Sequence, residues 1–453
     1  MPIYAVGYRE ALNQTASRRK GTHTNYSYIN LTVVEKMVIL THPSDTTQDF
    51  SLLIKPTGAE CNLACRYCFY LDKKGLYPGS TLRMNIKVLE VAIQQRLSTP
   101  RKGEITIAWQ GGEPTLMGLD FFQHSLELVK RYKKPGQRVS YSIQTNGTLL
   151  DKAWCVFFKK HNFLVGLSMD GTAEDHNTYR VDKGGKGSFD RVRHAWELLQ
   201  EYKVDTNILC AVHSVNAPKP FETYHFFRDV LRARFIQFIP IVEQKEESKL
   251  PGLESDSNQS ADEYGSTHSP RVKVSSHSVK PEQYGRFLTE IFDEWVRHDV
   301  GKVFIQNFEA ALASWCHLPA NVCVFQQVCG SSLILEHNGD LYSCDHFVDP
   351  EHRLGNILEQ PMITLARSDH QRQFGLDKRE QLPVDCRECD VLFACRGGCP
   401  RNRFTSTGDG EFRINYLCPS YKLFFHHIDR PMHHMAVLLQ HGHSASEIMN
   451  EEN

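Results

Sequence analysis

Cys61, Cys65 and Cys68 fall within the stretch "ECNLACRYCFY" (60–70), spaced by three residues and then two. Three thiols are too few for a structural tetrathiolate zinc site and too odd a number for a disulfide framework. A 4Fe–4S cluster held by three thiolates leaves one iron without a protein ligand, and that iron can bind a chelating substrate. A second group lies downstream as Cys386-x2-Cys389-x5-Cys395-x3-Cys399 followed by Cys418, with Cys323, Cys329 and Cys344 ahead of it. Eight thiols make two sets of four. Each set suits zinc or a 4Fe–4S cluster, and spacing alone does not separate these metals. Cys155, Cys210 and Cys316 read as small buried hydrophobes.

The elements that must position these thiols alternate along the first half of the chain. Apolar, β-rich runs occur at Phe50–Pro56, Glu104–Gln110, Val139–Thr145, Phe163–Met169, Val204–Val212 and Phe235–Val242, with helical patterns between them. Six strands alternating with helices predict a parallel α/β sheet, open or curled towards a barrel, with sites at the C-terminal strand ends. "ECNLACRYCFY" follows the first strand directly, which places it on that face. Residues 48–243 are therefore read as the barrel, after an N-terminal extension over 1–47 in which Met37 offers an alternative start. The stretch 244–280 is polar and Ser-rich and predicts a mobile insertion. A helical connection follows over 281–320, then a cysteine-rich, metal-organised domain over 321–425, then a tail over 426–453. The tail's "FFHHIDRPMHHM" is read as a partly exposed helix that is rich in histidine.

Bulk composition narrows the partners. The chain has 453 residues, with 41% hydrophobic, 23% charged and a net charge of −1. That balance supplies no basic field for nucleic acid, and the apolar runs fall short of a membrane span. The N-terminus lacks the apolar core of a signal peptide, so the Asn-x-Ser/Thr triplets at Asn13, Asn25 and Asn30 are read as chance. Fourteen cysteines in a chain of this size point to metal or redox chemistry in a reducing compartment, and a cytoplasmic location is expected.

Cx3CxxC after the first strand resembles the radical S-adenosylmethionine superfamily, whose open iron takes the amino and carboxylate groups of the cosubstrate. "WQGGEPTL" after the second strand resembles the family's GGEP motif, while "QTNG" and "SMDG" end the third and fourth strands. Cys344–Cys418 resembles the SPASM extension. With "CNLACRYCFYLDK" and "SCDHFV", the chain resembles the anaerobic sulfatase-maturating enzymes from about Phe50 to Phe425. The fold this implies is a partial (β/α)6 TIM-like barrel with a C-terminal SPASM domain holding auxiliary Fe–S clusters.

The resemblance implies S-adenosylmethionine and three 4Fe–4S clusters. The open-iron cluster would use Cys61, Cys65 and Cys68. One auxiliary cluster would use Cys323, Cys329, Cys344 and Cys399, and the other Cys386, Cys389, Cys395 and Cys418. It also implies that Tyr67, Gln110, Gly111, Gly112, Glu113, Ser168, Arg180 and Ile241 contact S-adenosylmethionine. Tyr70 would lie near the peptide substrate, and Asp345 would be the general base. The implied reaction abstracts hydrogen from Cβ of a cysteine or serine on a client sulfatase, giving Cα-formylglycine. A flavodoxin or ferredoxin would supply electrons. Other SPASM chemistry (thioether formation, epimerisation, cofactor maturation), a zinc-stabilised scaffold and an Fe–S redox sensor are the competing readings.

Overall fold

The computed structural model describes residues 50–99, 103–244, 274–406 and 412–450. The expected extension over 1–47 and most of the polar insertion lie outside the described residues. The insertion's last residues do not: Val274 bridges to Gln244, and Val279 donates its N–H to the Ile241 carbonyl at 2.9 Å. They form a short cover over one strand end.

Six parallel strands form where the apolar runs predict them: β1 (Ser51–Lys55), β2 (Ile105–Trp109), β3 (Val139–Thr145), β4 (Phe163–Ser168), β5 (Asp205–Val212) and β6 (Phe235–Pro240). They lie side by side in chain order, the arrangement that right-handed helical crossovers produce. The crossovers include α1 (Ile86–Ser98), α2 (Leu119–Tyr132), α3 (Lys152–Lys160), α4 (Ala173–Tyr179) and α5 (Phe189–Glu201). Local chemistry sets their starts. The Asn85 side chain accepts from the Val88 N–H to cap α1, and Asp151 accepts from the Trp154 N–H to cap α3. Ile105, Ile107 and Trp109 of β2 face the helices in the main core, while Leu53, Ala108 and Tyr70 belong to a smaller apolar cluster.

The sheet does not stop at six strands. A short β7 (Phe304–Ile305) extends it beyond β6 and leads into α6 (Gln306–Trp315). At the other edge, β8 (Ser332–Glu336) pairs with β1 in parallel from Ser51↔Ser332 to Lys55↔Glu336. The antiparallel strands β9 (Asp340–Tyr342) and β10 (Arg353–Asn356) follow. The cysteine-rich segment is thus joined to the barrel through the sheet itself.

Two helical features depart from the sequence reading. Asp369–Glu380 forms a helix that its pattern conceals, because Gln371, Gly375 and Lys378 are its buried residues and no apolar stripe marks it. A single helix, Cys418–Gln440, crosses the expected 425/426 boundary with Pro431 inside it. It packs along the helix at Pro281–His298, so tertiary contact sustains it through the proline. The tail histidines lie on its outer side, where His426 and His427 pair with Asp390 and Asp293. No helix among the described residues is long and apolar enough to cross a membrane.

Candidate active site

The first cysteine loop is laced to the strand ends by backbone hydrogen bonds. Gln110 N–H reaches the Ile54 carbonyl at 2.9 Å, Gly112 N–H the Gly58 carbonyl at 2.7 Å, and Glu113 N–H the Glu60 carbonyl at 2.8 Å. This is why glycine stands at 112: a Cβ there would lie 1.9 Å from the Glu60 carbonyl oxygen. Glu113 is fully buried, and its carboxylate accepts from Thr115 N–H, Thr115 and Thr145 hydroxyls and Asn146 N–H at 2.6–3.0 Å. Its side chain therefore ties the ends of β2 and β3 together. Gln110 donates to Gln144 at 2.9 Å across the same strand ends.

Cys61, Cys65 and Cys68 come close enough to repel one another as thiolates. Burial, then the charge of Glu113, pushes Cys61 up to about 12, and burial raises Cys65 to about 11 against the pull of Arg180. Such thiols ionise only beside strong positive charge, which the irons of a cluster supply. Leu63 N–H and the Asn146 amide point at the Cys61 sulfur at 3.3 and 3.6 Å. The donor set fits a cluster. Asn146, inside the quoted "QTNG", is a contact that sequence reasoning passed over.

Beyond Cys65 lies a buried charge group. Arg180 Nε donates to Asp170 Oδ2 at 2.8 Å and the Tyr67 hydroxyl donates to the same oxygen, while Ala211 N–H reaches Asp170 Oδ1 at 2.9 Å. Burial raises the Asp170 carboxyl, but the charges of Arg180, His213 and His176 outweigh it and hold the group below its ordinary value. Tyr67 and Arg180 are brought together, the guanidinium lying 5.5 Å from the Tyr67 ring centre. Asp170 organises both and was quoted in "SMDG" without being singled out. Ser168 ends β4 and is buried. Ile241 follows β6 and is held by N–H donation to the Val212 carbonyl at 2.8 Å.

Eight of the eleven remaining thiols gather into two sets of four. Burial and then the neighbouring thiols of Cys323 and Cys399 raise Cys344, and burial and then those of Cys323 and Cys329 raise Cys399. Separately, burial and then the neighbouring thiols of Cys418, Cys386 and Cys389 raise Cys395. These four line a cavity of about 130 Å³ with Leu392 and Lys422. Buried Lys378 donates to the Cys323 and Val324 carbonyls at 2.6 and 2.9 Å, placing a cation beside the first set. Among the described residues no three His, Cys, Asp or Glu side chains are arranged to hold a single metal ion. Cys155 and Cys210 are fully buried in the main core, and Cys316 is half-buried against it.

Asp345, next to Cys344, is 2% exposed and pairs with Lys55 Nζ at 2.5 Å. Burial alone would raise its carboxyl, but the Lys55 ammonium prevails and holds it far below the usual carboxylate range. That ammonium sits 3.5 Å from the centre of the Tyr70 ring, whose hydroxyl donates to buried Glu336. Asp345 and Tyr70 are thus neighbours across Lys55, which the sequence reading did not name.

Comparison with known proteins decides the family. Residues 56–227 match the model of the radical SAM superfamily, and residues 323–390 match that of an iron-sulfur cluster-binding domain, SPASM. The chain is 41% identical to a serine-type anaerobic sulfatase-maturating enzyme of Bacteroides thetaiotaomicron, over 88% of this chain and 94% of that one. The chain belongs to the anaerobic sulfatase-maturating enzymes. A cysteine-type member from Clostridium perfringens is 34% identical over 83% of this chain and 95% of its own. The solved structure of native anSMEcpe with bound AdoMet and Cp18Cys peptide matches with a TM-score of 0.73 and 34% identity, covering 85% of this chain and 98% of that one. As a member of this family, the chain is a radical S-adenosylmethionine oxidoreductase whose cofactors are S-adenosylmethionine and 4Fe–4S clusters. The α/β barrel with its SPASM extension is the family's fold.

Proposed function

We propose that this enzyme oxidises a serine or cysteine in a client sulfatase segment to Cα-formylglycine, with Asp345 as the general base. The carrying observation is the placement of Asp345. A buried carboxylate kept ionised by Lys55 follows a cysteine of one four-thiol set and sits beside the strand that leads into Cys61. A carboxylate so placed can take the hydroxyl or thiol proton of the target residue, a contribution of about 10²–10⁴ in rate.

In this reading Cys61, Cys65 and Cys68 hold the open-iron cluster, and the two sets of four hold the auxiliary clusters. Bound at the first site, S-adenosylmethionine and its cluster supply the radical chemistry that removes hydrogen from an unactivated carbon. Every other task falls to the chain. Arg180, with its fork of donors aimed by Asp170, would hold the methionine carboxylate. The backbone at Gly111 and Gly112 would receive the methionine amino group, Ser168 and Ile241 would border the nucleoside, and Tyr70 would border the client peptide. With all four ligands supplied by cysteines in each set, the auxiliary clusters would have no open iron and would serve electron transfer. A flavodoxin or ferredoxin supplies the reducing electrons in the cytoplasm, where ligand thiols stay reduced.

The test uses anaerobically reconstituted protein with S-adenosylmethionine, reductant and two matched sulfatase peptides, one bearing serine and one cysteine at the target. An aldehyde, trapped by a hydrazide in at least one peptide, is expected. Failure to modify either one, with S-adenosylmethionine cleaved in both, would remove the client assignment.

A further inference from the structure

Lys55 is the last residue of β1, whose other members are apolar or small, and its side chain is 1% exposed. An ammonium is rarely buried this deeply unless its partners define where it must stand. Here they do so from several sides. Nζ lies 2.5 Å from Asp345 Oδ1 and 3.5 Å from the centre of the Tyr70 ring. The ring is in turn anchored by its hydroxyl on Glu336, the residue directly opposite Lys55 in the β1–β8 register. Strand, ring and carboxylate leave the ammonium one position.

That position links the two halves of the site. Lys55 lies six residues before Cys61, and Asp345 directly follows Cys344. We propose that Lys55 is a positioning residue: it fixes the Asp345 carboxylate at the place and orientation in which it meets the target side chain, with Tyr70 setting the height of the ammonium. The inference rests on Asp345 being the base. Lys55 touches neither substrate nor cofactor in this role and acts through the aspartate alone. A displaced carboxylate would still be present, but out of line with the proton it must take. Misplacement by about 1 Å costs on the order of a hundredfold.

The experiment compares Lys55→Met, Lys55→Arg, Asp345→Asn and the double variant Lys55→Met/Asp345→Asn as fully reconstituted chains. For each, iron content, client-peptide Kd, kcat for aldehyde formation and 5′-deoxyadenosine released per aldehyde are measured. Lys55→Met is expected to keep its iron and peptide Kd, to lose on the order of a hundredfold in kcat, and to release excess 5′-deoxyadenosine. Lys55→Arg keeps the charge on a differently shaped head and is expected between Lys55→Met and the parent. The double variant is expected to be no slower than Asp345→Asn. Parental kcat in Lys55→Met, or independent multiplication of the two losses, would overturn the proposal. If Lys55→Met fails to load iron, Lys55→Arg decides: lowered kcat at full iron supports the proposal and parental kcat overturns it. Unimpaired Asp345→Asn would overturn the base assignment itself, a separate result from parental kcat in the lysine variants beside an inactive Asp345→Asn.

Discussion

Arg180 and Asp170 form an ion pair at 2.8 Å in which the carboxylate is wholly closed from solvent. The charge of the same guanidinium reaches the Cys65 thiol and opposes the rise that burial causes there, so one planar group serves an acid on one side and a cysteine of the first loop on the other. A lysine offers a point charge in place of that fork. Removing the arginine should be costly in a way that removing both partners is not. Arg180→Met takes the main counter-charge from buried Asp170 and should destabilise the protein by about 3–5 kcal/mol. Arg180→Met/Asp170→Asn should recover much of that loss while S-adenosylmethionine binding stays weak. Thermal melting and equilibrium dialysis read the two effects apart. Equal stability in the single and double variants would contradict this coupling.

Gly112→Ala should act on the first cluster and leave the others alone. Its new Cβ meets backbone, the Glu60 carbonyl, and backbone one residue before Cys61 cannot yield without moving the cysteine loop. The iron content should fall by about a third, the share of one 4Fe–4S cluster among three, and S-adenosylmethionine cleavage should vanish. Full iron content and normal cleavage in this variant would show that the loop relaxes freely.

Cys65→Ala tests the division of labour among the thiols. The two four-cysteine sets are formed by residues 323–418 and should still load, so a brown protein with about eight irons and no S-adenosylmethionine cleavage is expected. Retained cleavage would contradict the assignment of Cys61, Cys65 and Cys68 to the open-iron cluster.

A stability effect with a defined pH window is expected from Glu309 on α6. Burial pushes its carboxyl up to about 7 from an ordinary 4.5. Below the lower value both folded and unfolded chains hold the proton. Between the two values the unfolded chain releases it first, so stability falls as pH rises through this window and levels off above about 7. Glu309→Gln escapes the penalty. It should melt higher than the parent at pH 8, by at most about 3 kcal/mol for a half-buried side chain, and the gap should close as pH is lowered towards 5. A gap of constant size across that range would exclude Glu309 as its source.

Much of this architecture was legible before any coordinates. The β-rich runs carry their signal locally: Val139–Thr145 is a strand residue for residue, and Pro281–His298 a helix with proline in its first turn. The cysteine spacings and strand-end motifs likewise lie within short windows. What stayed hidden depends on partners far away in the chain. Nothing within Ser332–Glu336 reveals that it pairs with β1, about 280 residues earlier. Lys55 stood in plain view as a lysine ending an apolar strand, but its partner lies beyond Cys344. Asp170 sat in a quoted motif, yet its role emerges only when β4, β5 and the Arg180 segment converge on it. The helix at Asp369–Glu380 escaped for the opposite reason: it buries polar groups, among them Lys378, and so lacks the apolar stripe that pattern reading requires.

The measurement that bears most directly on the central claim follows one hydrogen atom. Reconstituted protein would be given S-adenosylmethionine, reductant and a sulfatase peptide deuterated at Cβ of its target residue, and both the peptide and the released 5′-deoxyadenosine would be weighed by mass spectrometry. The structure-based assignment predicts an aldehyde in the peptide and deuterium in the 5′-deoxyadenosine. An unchanged peptide beside unlabelled 5′-deoxyadenosine would contradict it.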